Sequence, residues 1–287
     1  MSAANDGDLI RRPHPRLRPY VGAYVGYDIS DVPAGMHLGL PSGTLTFIVS
    51  IDAPLRQYDE LTDSTECFEV LLAGLHVSPT LIRHNGTMAG IQINFSPTAP
   101  RAFFDMPAGE FAHQSHELGD ISRPIAEELH ERVNAAPTWA AGFDAVDDVL
   151  TRILAHTHTH THTHTHTHTH ARGPREEVLN SWQLLARSHG GLPISQVAEQ
   201  VGWSRRYLNG QFRAEFGIGP KEAARVMRFD RARRMISEQT RTLADIAAIC
   251  GYSDQSHLNR DFRSLTGTSP NRWLSDDPVA GKSQDDG

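Results

Sequence analysis

The chain has 287 residues, 39% hydrophobic and 21% charged, with a formal net charge of −7, which is the composition of a soluble globular protein with room for two domains. No stretch approaches the roughly 18 consecutive apolar residues of a membrane span. The N-terminus lacks the apolar core of a secretory signal, and the two cysteines, Cys67 and Cys250, give no disulfide framework and fit a reducing cytoplasm. The negative total conceals an asymmetry: residues 1–174 carry about −9, residues 175–275 about +5 and residues 276–287 about −3, so different partners are expected for the two halves.

In chain order, strands come first. Thr44 to Ile51 is rich in β-branched and aromatic residues and follows the turn residues Pro41-Ser42-Gly43. Phe68 to Leu72 and Gly90 to Phe95 read as further strands, the second alternating and ending at Pro97. From Ser122 the period becomes helical, with Ile125, Leu129 and Val133 on one stripe. Pro137 breaks that helix, and Phe143, Val146, Leu150 and Ile153 form the stripe of a second. The expectation for residues 1–155 is an α+β effector-sensing or dimerisation domain: a small β-sheet or β-barrel plus two helices. The helices either form a dimerisation element or pack back on their own sheet.

Residues 156–170 alternate eight His with seven Thr. The run offers no large apolar side chain to a core, and extended it spans on the order of 50 Å. Residues 156–173 are therefore expected to be a low-complexity linker. The alternative is a metal-responsive tract, since imidazole is a common transition-metal ligand. Nothing in the run fixes ligand geometry or supplies supporting hydrogen bonds, so no metal site and no cofactor are assigned.

Beyond the linker runs an internal repeat. The first copy is Ile194-x-x-Val197-Ala198-x-x-Val201-Gly202-Trp203-Ser204, then Tyr207-Leu208-x-x-x-Phe212-x-x-x-Phe216-Gly217-x-x-Pro220. The second is Leu243-x-x-Ile246-Ala247-x-x-Cys250-Gly251-Tyr252-Ser253, continuing one residue longer through Leu258-x-x-x-Phe262, Gly267 and Pro270. Apolar residues at i, i+3 and i+7 make a buried stripe, and Ala198 and Ala247 leave room for a crossing helix. Gly202 and Gly251 stand where a first helix must end, and Ser204 and Ser253 are placed to cap the next. Each copy has the plan of a helix-turn-helix, whose second helix enters the DNA major groove. Between them, Pro220 to Glu238 predicts one continuous helix of about 28 Å, close to the roughly 34 Å repeat of the major groove.

Residues 174–275 closely resemble the DNA-binding domain of the AraC/XylS family of bacterial transcription regulators. The second copy, from Ile246 through Pro270, carries most of the likeness, and Arg228 and Ala232 match the family's linking helix. The resemblance implies an all-α domain with two helix-turn-helix motifs and a first half that senses a ligand or mediates dimerisation. Two first-half segments, LPSGTLTFIVS and GIQINFSPTAPRAFFDMPAGEF, are similar to those of some members, with a cupin-like or related small β-fold as the guess. Double-stranded DNA is then the expected partner. RNA polymerase, a small-molecule effector and a second copy of the chain are further candidates, with activation of transcription the working expectation. Residues 276–287 read as a disordered acidic tail.

With Leu208 and Phe212 facing inward, Arg206, Asn209 and Arg213 form the outward stripe of the first recognition helix, with Arg205 beside them at its start. In the second helix the stripe is Ser256, Asn259 and Arg263, flanked by Gln255 and Arg260. Arg can grip guanine O6 and N7, and Asn or Gln can pair with adenine; some of these side chains are expected to touch phosphate only. One departure is Gly210, where the family commonly carries Arg, so a weaker or altered grip is expected from the first helix. An enzyme reading finds no GxSxG, HExxH or P-loop, and His37, His76, His84, His113 and His116 show no ligand spacing beyond the His113/His116 pair.

Overall fold

The computed structural model describes residues 9–160 and 174–276. Its first half holds β1 (Ile10–Arg11), β2 (Val21–Ile29), β3 (Gly35–Gly39), β4 (Leu45–Ile51), β5 (Leu55–Asp59), β6 (Ser64–Phe68), β7 (Val70–Ala73), β8 (Thr80–His84) and β9 (Met88–Phe95). Helix α1 (Ala99–Phe104), a 3-10 turn at Ala108–Phe111, β10 (Ser115–Glu117), α2 (Leu118–Asn134) and α3 (Trp139–His160) follow. The strands form two antiparallel sheets, ordered β1-β2-β9-β4-β7-β10 and β3-β8-β5-β6.

Alternation along the central strands decides which face meets what. Leu45, Phe47, Val49 and Ile51 of β4, with Ile91, Ile93 and Phe95 of β9, pack against the helices. The intervening residues Thr46, Ile48, Gln92 and Asn94 face the second sheet and a cavity. The apolar stripes of α2 and α3 are spent on this sheet: Leu129, Val133, Phe143, Val146, Leu150 and Ile153 all lie in the shared core. Packing on their own sheet is thus the alternative the structure adopts.

Three sequence expectations need correction here. The segment from Phe68 to Leu72 is not one strand, because Phe68 ends β6 in one sheet and Val70 begins β7 in the other. The Glu117 carboxylate accepts from the amides of Glu69 (2.8 Å) and Val70 (3.1 Å), which satisfies the backbone where it crosses between sheets. The helix expected from Ser122 begins at Leu118 and is kinked at Ser122, two residues before Pro124. Helix α3 also runs on to His160, so residues 156–160 of the expected linker are helical; residues 161–173 lie outside the described residues, as do 277–287 of the expected tail.

The second half is all helical: α4 (Glu176–Arg187), α5 (Ile194–Gln200), α6 (Arg205–Phe216), α7 (Pro220–Ser237), α8 (Leu243–Ile249), α9 (Gln255–Thr266) and α10 (Pro270–Asp276). Its buried residues fall into two groups. Leu208, Phe212 and Phe216 of α6, packed with Trp182 of α4, share one core with the first half, which α6 meets at the 3-10 turn. Phe229, Leu258, Phe262 and Trp273 close a separate core around α8 and α9.

Candidate nucleic-acid interface

Each motif is built as its sequence implied, with one shift. Gly202 (φ 72°) and Gly251 (φ 76°) take the left-handed conformation just past α5 and α8. Ser204 caps α6, its hydroxyl accepting from the amide of Tyr207 at 3.2 Å. The cap of α9 is Asp254 instead of the expected Ser253, its carboxylate accepting from the amide of His257 at 2.7 Å. The extra residue in the second copy moves the cap one position, and that amide bond holds the Asp254 carboxyl below its ordinary range. Thr242 caps α8 in the same manner.

On α6, Leu208 and Phe212 are fully buried, and Arg205, Arg206, Asn209 and Arg213 are exposed. Arg205 and Arg206 stand beside the capped end with no ion pair among the described residues. Arg213 is different: its Nη2 lies 2.7 Å from Oε2 of Glu222, which also accepts from the amide of Gly219 and closes the first turn of α7. On α9, Gln255, Ser256, Arg260 and Arg263 are exposed, and Asn259 is half-buried with its Oδ1 sealed from solvent and without a hydrogen-bond partner. Gly210 sits on the exposed face of α6, and a Cβ placed there meets nothing within 4 Å.

Several contributing residues escaped the sequence reading. Tyr207 lies exposed in the first turn of α6, its ring edge-on to Trp203 at 4.9 Å between centroids; an aromatic residue three positions past the cap was the available signal. Asp261 fixes α9 from two sides, accepting from Arg225 Nε of α7 at 2.5 Å and from the Tyr252 hydroxyl at 3.1 Å. Burial in the second core and this carboxylate together push the Tyr252 phenol well above its usual range. Arg225 and Asp261 are 36 residues apart, so no local pattern announces the pair.

A cavity of about 870 Å³ opens between the halves. Its walls are the inner faces of the two sheets and, from the helical half, Trp182, His189, Met227, Arg233, Arg234 and Trp273. Of the scattered histidines, His37 and His76 line it. Burial lowers the pKa of His76, whose Nδ1 lies 3.2 Å from the Gly74 carbonyl oxygen.

Comparison with known proteins places this geometry. A helix-turn-helix domain model matches residues 197–276, and a domain of unknown function, DUF6597, matches residues 10–117. The fold spans both halves of solved structures of ToxT from Vibrio cholerae. An apo ToxT variant from strain SCE256 superposes with a TM-score of 0.52 at 11% identity, covering 92% of this chain and 99% of that one. Residues 197–276 therefore carry a helix-turn-helix domain, and the two halves together have the fold of ToxT. A second ToxT structure, bound to an unsaturated fatty acid, gives a TM-score of 0.50 at 11% identity over 92% and 96% of the two chains; these likenesses concern the fold. The chain is 37% identical over 82 residues to a probable transcriptional regulator, LumQ, of Photobacterium leiognathi, covering 29% of this chain and 33% of the relative. It is 28% identical over 96 residues to an uncharacterized HTH-type transcriptional regulator of Staphylococcus aureus strain MSSA476, covering 33% of this chain. The chain spans only 13% of the length of that Staphylococcus relative. No helix among the described residues is long and apolar enough to cross a membrane.

Proposed function

We propose that this chain is a sequence-specific double-stranded DNA-binding regulator that lays α6 and α9 in successive major grooves. The observation that carries the reading is the pair of capped helix-turn-helix units with Arg205, Arg206, Arg260 and Arg263 exposed on their second helices. Helix α7, with 18 residues at 1.5 Å each, spans about 27 Å and is stiff enough to hold both units on one side of a duplex. The surplus of basic residues in 175–275 favours a polyanion despite the acidic total. Arg213, drawn to Glu222, and Asn259, partly sealed, enter the reading interface by rearranging; Arg205 and Arg206 need not.

The cavity between the halves is the place for a small-molecule effector, because a ligand there touches both the sheets and α7. Small molecules with one apolar and one hydrogen-bonding side are the first set to try, because the lining offers both kinds of side chain. A second copy of the chain and RNA polymerase are further partners under this reading. A metal-responsive tract is the rival; it rests on residues 156–170, most of which lie outside the described residues.

The test is selection of bound duplexes from a random library by the full-length chain. The expected result is a motif with two half-sites about one helical turn apart. Binding that depends on salt but shows no sequence preference sinks the proposal. With the selected duplex in hand, Arg206→Ala is expected to cost about 1–3 kcal/mol if Arg206 meets a base, or to lower the salt slope by about one if it meets phosphate. No change in either removes Arg206 from the interface.

A further inference from the structure

The first recognition helix is gripped at its far end by the other half of the molecule. Arg101 of α1 forms a two-pronged ion pair with Glu215 in the last turn of α6, Nε to Oε1 and Nη2 to Oε2, each 2.7 Å. Glu215 is only 6% exposed, and Arg101 is its sole ion-pair partner among the described residues. A carboxylate buried on a helix whose other face reads DNA costs stability unless it is paired. Nothing inside the helical half pairs it, so the helix has been built for this arginine, 114 residues away.

A seam of small residues lies beside the ion pair. The 3-10 turn brings Gly109 against the backbone of Ala214 and Gly217, where an added Cβ would meet the Ala214 carbonyl oxygen at 3.0 Å and the Gly217 amide at 3.1 Å. A Cβ on Gly217 would lie 2.1 Å from that of Ala112. Backbone meets backbone here, which leaves the contact little slack. The same turn is pressed from the other side by β7: a Cβ on Gly74 would lie 1.8 Å from the Phe111 carbonyl oxygen. The Gly74 amide donates to the Gln114 carbonyl oxygen at 3.0 Å, and the His113 amide to that of Leu75 at 2.9 Å. Leu71 and Ala73 of β7 line the cavity. A continuous run of packed backbone therefore leads from the cavity wall, through the 3-10 turn, to the end of α6.

We propose that Arg101, the 3-10 turn and Glu215 form a latch that ties the first reading head to the first half and restrains its docking on DNA. The latch grips the C-terminal end of α6 and leaves Arg205 and Arg206 uncovered, so it acts on orientation and not by masking. While the ion pair and the turn hold α6, the first head can turn toward a duplex only together with the first half. A strain on β7 that loosens the 3-10 turn frees the head, which makes the latch the means by which an occupant of the cavity would reach the DNA. This inference rests on the DNA-binding reading above.

The experiment compares full-length wild type, Arg101→Met, Glu215→Gln and the exchanged pair Arg101→Glu/Glu215→Arg by amide hydrogen exchange without DNA, then by affinity for the selected duplex. Both single variants are expected to raise exchange over residues 209–217 about tenfold and leave residues 255–266 unchanged. They are also expected to bind the duplex about fivefold more tightly, and the exchanged pair is expected to recover part of both effects. Glu215→Gln is nearly isosteric and keeps the test alive if Arg101→Met fails to fold. Unchanged exchange in α6, or equal loosening of α6 and α9, overturns the latch. A loosened α6 with unaltered affinity reduces the ion pair to a packing contact and overturns its regulatory role. Because exchange is read without DNA, a chain that selects no duplex sinks the DNA reading while leaving the latch measurable.

Discussion

The two reading heads are copies in sequence and opposites in how they are held. The first has Trp182, Phe212 and Phe216 in one core with the first half, and its recognition helix is tied by Arg101 of that half. The second closes a core of its own around Phe229, Phe262 and Trp273, with only Leu40 of the first half packed against it among the described residues, and its recognition helix is tied by Arg225 of the adjoining α7. Repetition of a motif therefore says little about independence. One head is an extension of the β-rich half, and the other is a smaller body at the far end of α7.

The sharpest way to break this comparison is to remove one phenylalanine from each head. Phe212→Ala and Phe262→Ala both delete a fully buried ring, at a cost of about 3–5 kcal/mol each. If the cores are as different as they look, Phe212→Ala lowers the unfolding temperature of the whole chain. Phe262→Ala instead splits the melt, with α8 and α9 lost first and the β-sheet signal kept. Two probes, far-ultraviolet dichroism and Trp fluorescence, distinguish these outcomes, and identical melts would show the heads to be equally coupled.

A smaller effect comes from the matched glycines that end the recognition helices. Gly217 and Gly267 have nearly the same left-handed backbone, φ 75° and 74°. An added methyl at Gly267 meets nothing, whereas at Gly217 it strikes Ala112. Gly267→Ala should cost about 1–2 kcal/mol, the conformational penalty alone. Gly217→Ala should cost more, and Ala112→Gly in the same chain should recover the excess. Equal losses in chemical denaturation would remove the seam from the account. Smallest of all, Gly210→Ala should stabilise α6 by about 1 kcal/mol, since glycine in a helix interior is unfavourable and the site is open. A loss of stability there would mean that the backbone at Gly210 serves a contact not visible in the isolated chain.

Legibility in the sequence followed the range of the interactions. The helical half was readable because its signals are local: Ala, Gly and Phe at fixed offsets, each with a mechanical reason within one turn of helix. Even there the cap moved from Ser253 to Asp254, because one inserted residue is enough to exchange two good caps. Helix α4, which packs on α5, α6 and α7, has no counterpart in the repeat, so no pattern announces it. In the first half, β4 was legible as a strand from its run of β-branched and aromatic residues and β9 from its alternation. Strand β2 was not, since VGAYVGYDI mixes glycine with aromatics and carries an irregularity between Val21 and Tyr24. The strands β3, β5, β6 and β8 have one face largely open, so their polar residues hid them. The pairs Arg101–Glu215 and Arg225–Asp261 could not be read at all, because each joins charges that only the fold brings together.

The alternation along β4 and β9 has a consequence for anything that enters between the sheets. Thr46, Gln92 and Asn94 form a hydrophilic ribbon on an otherwise oily wall, with Gln92 Nε2 donating to Asn94 Oδ1 at 3.1 Å. That bond leaves the Asn94 amide hydrogens and the Gln92 carbonyl to find other company. Water can supply it, whereas a plain hydrocarbon chain laid along the ribbon would strand those groups, at about 1–3 kcal/mol for each one left unmet. A guest of this chamber must therefore be two-sided, greasy toward Ile48, Leu71 and Ile82 and able to exchange hydrogen bonds along the ribbon.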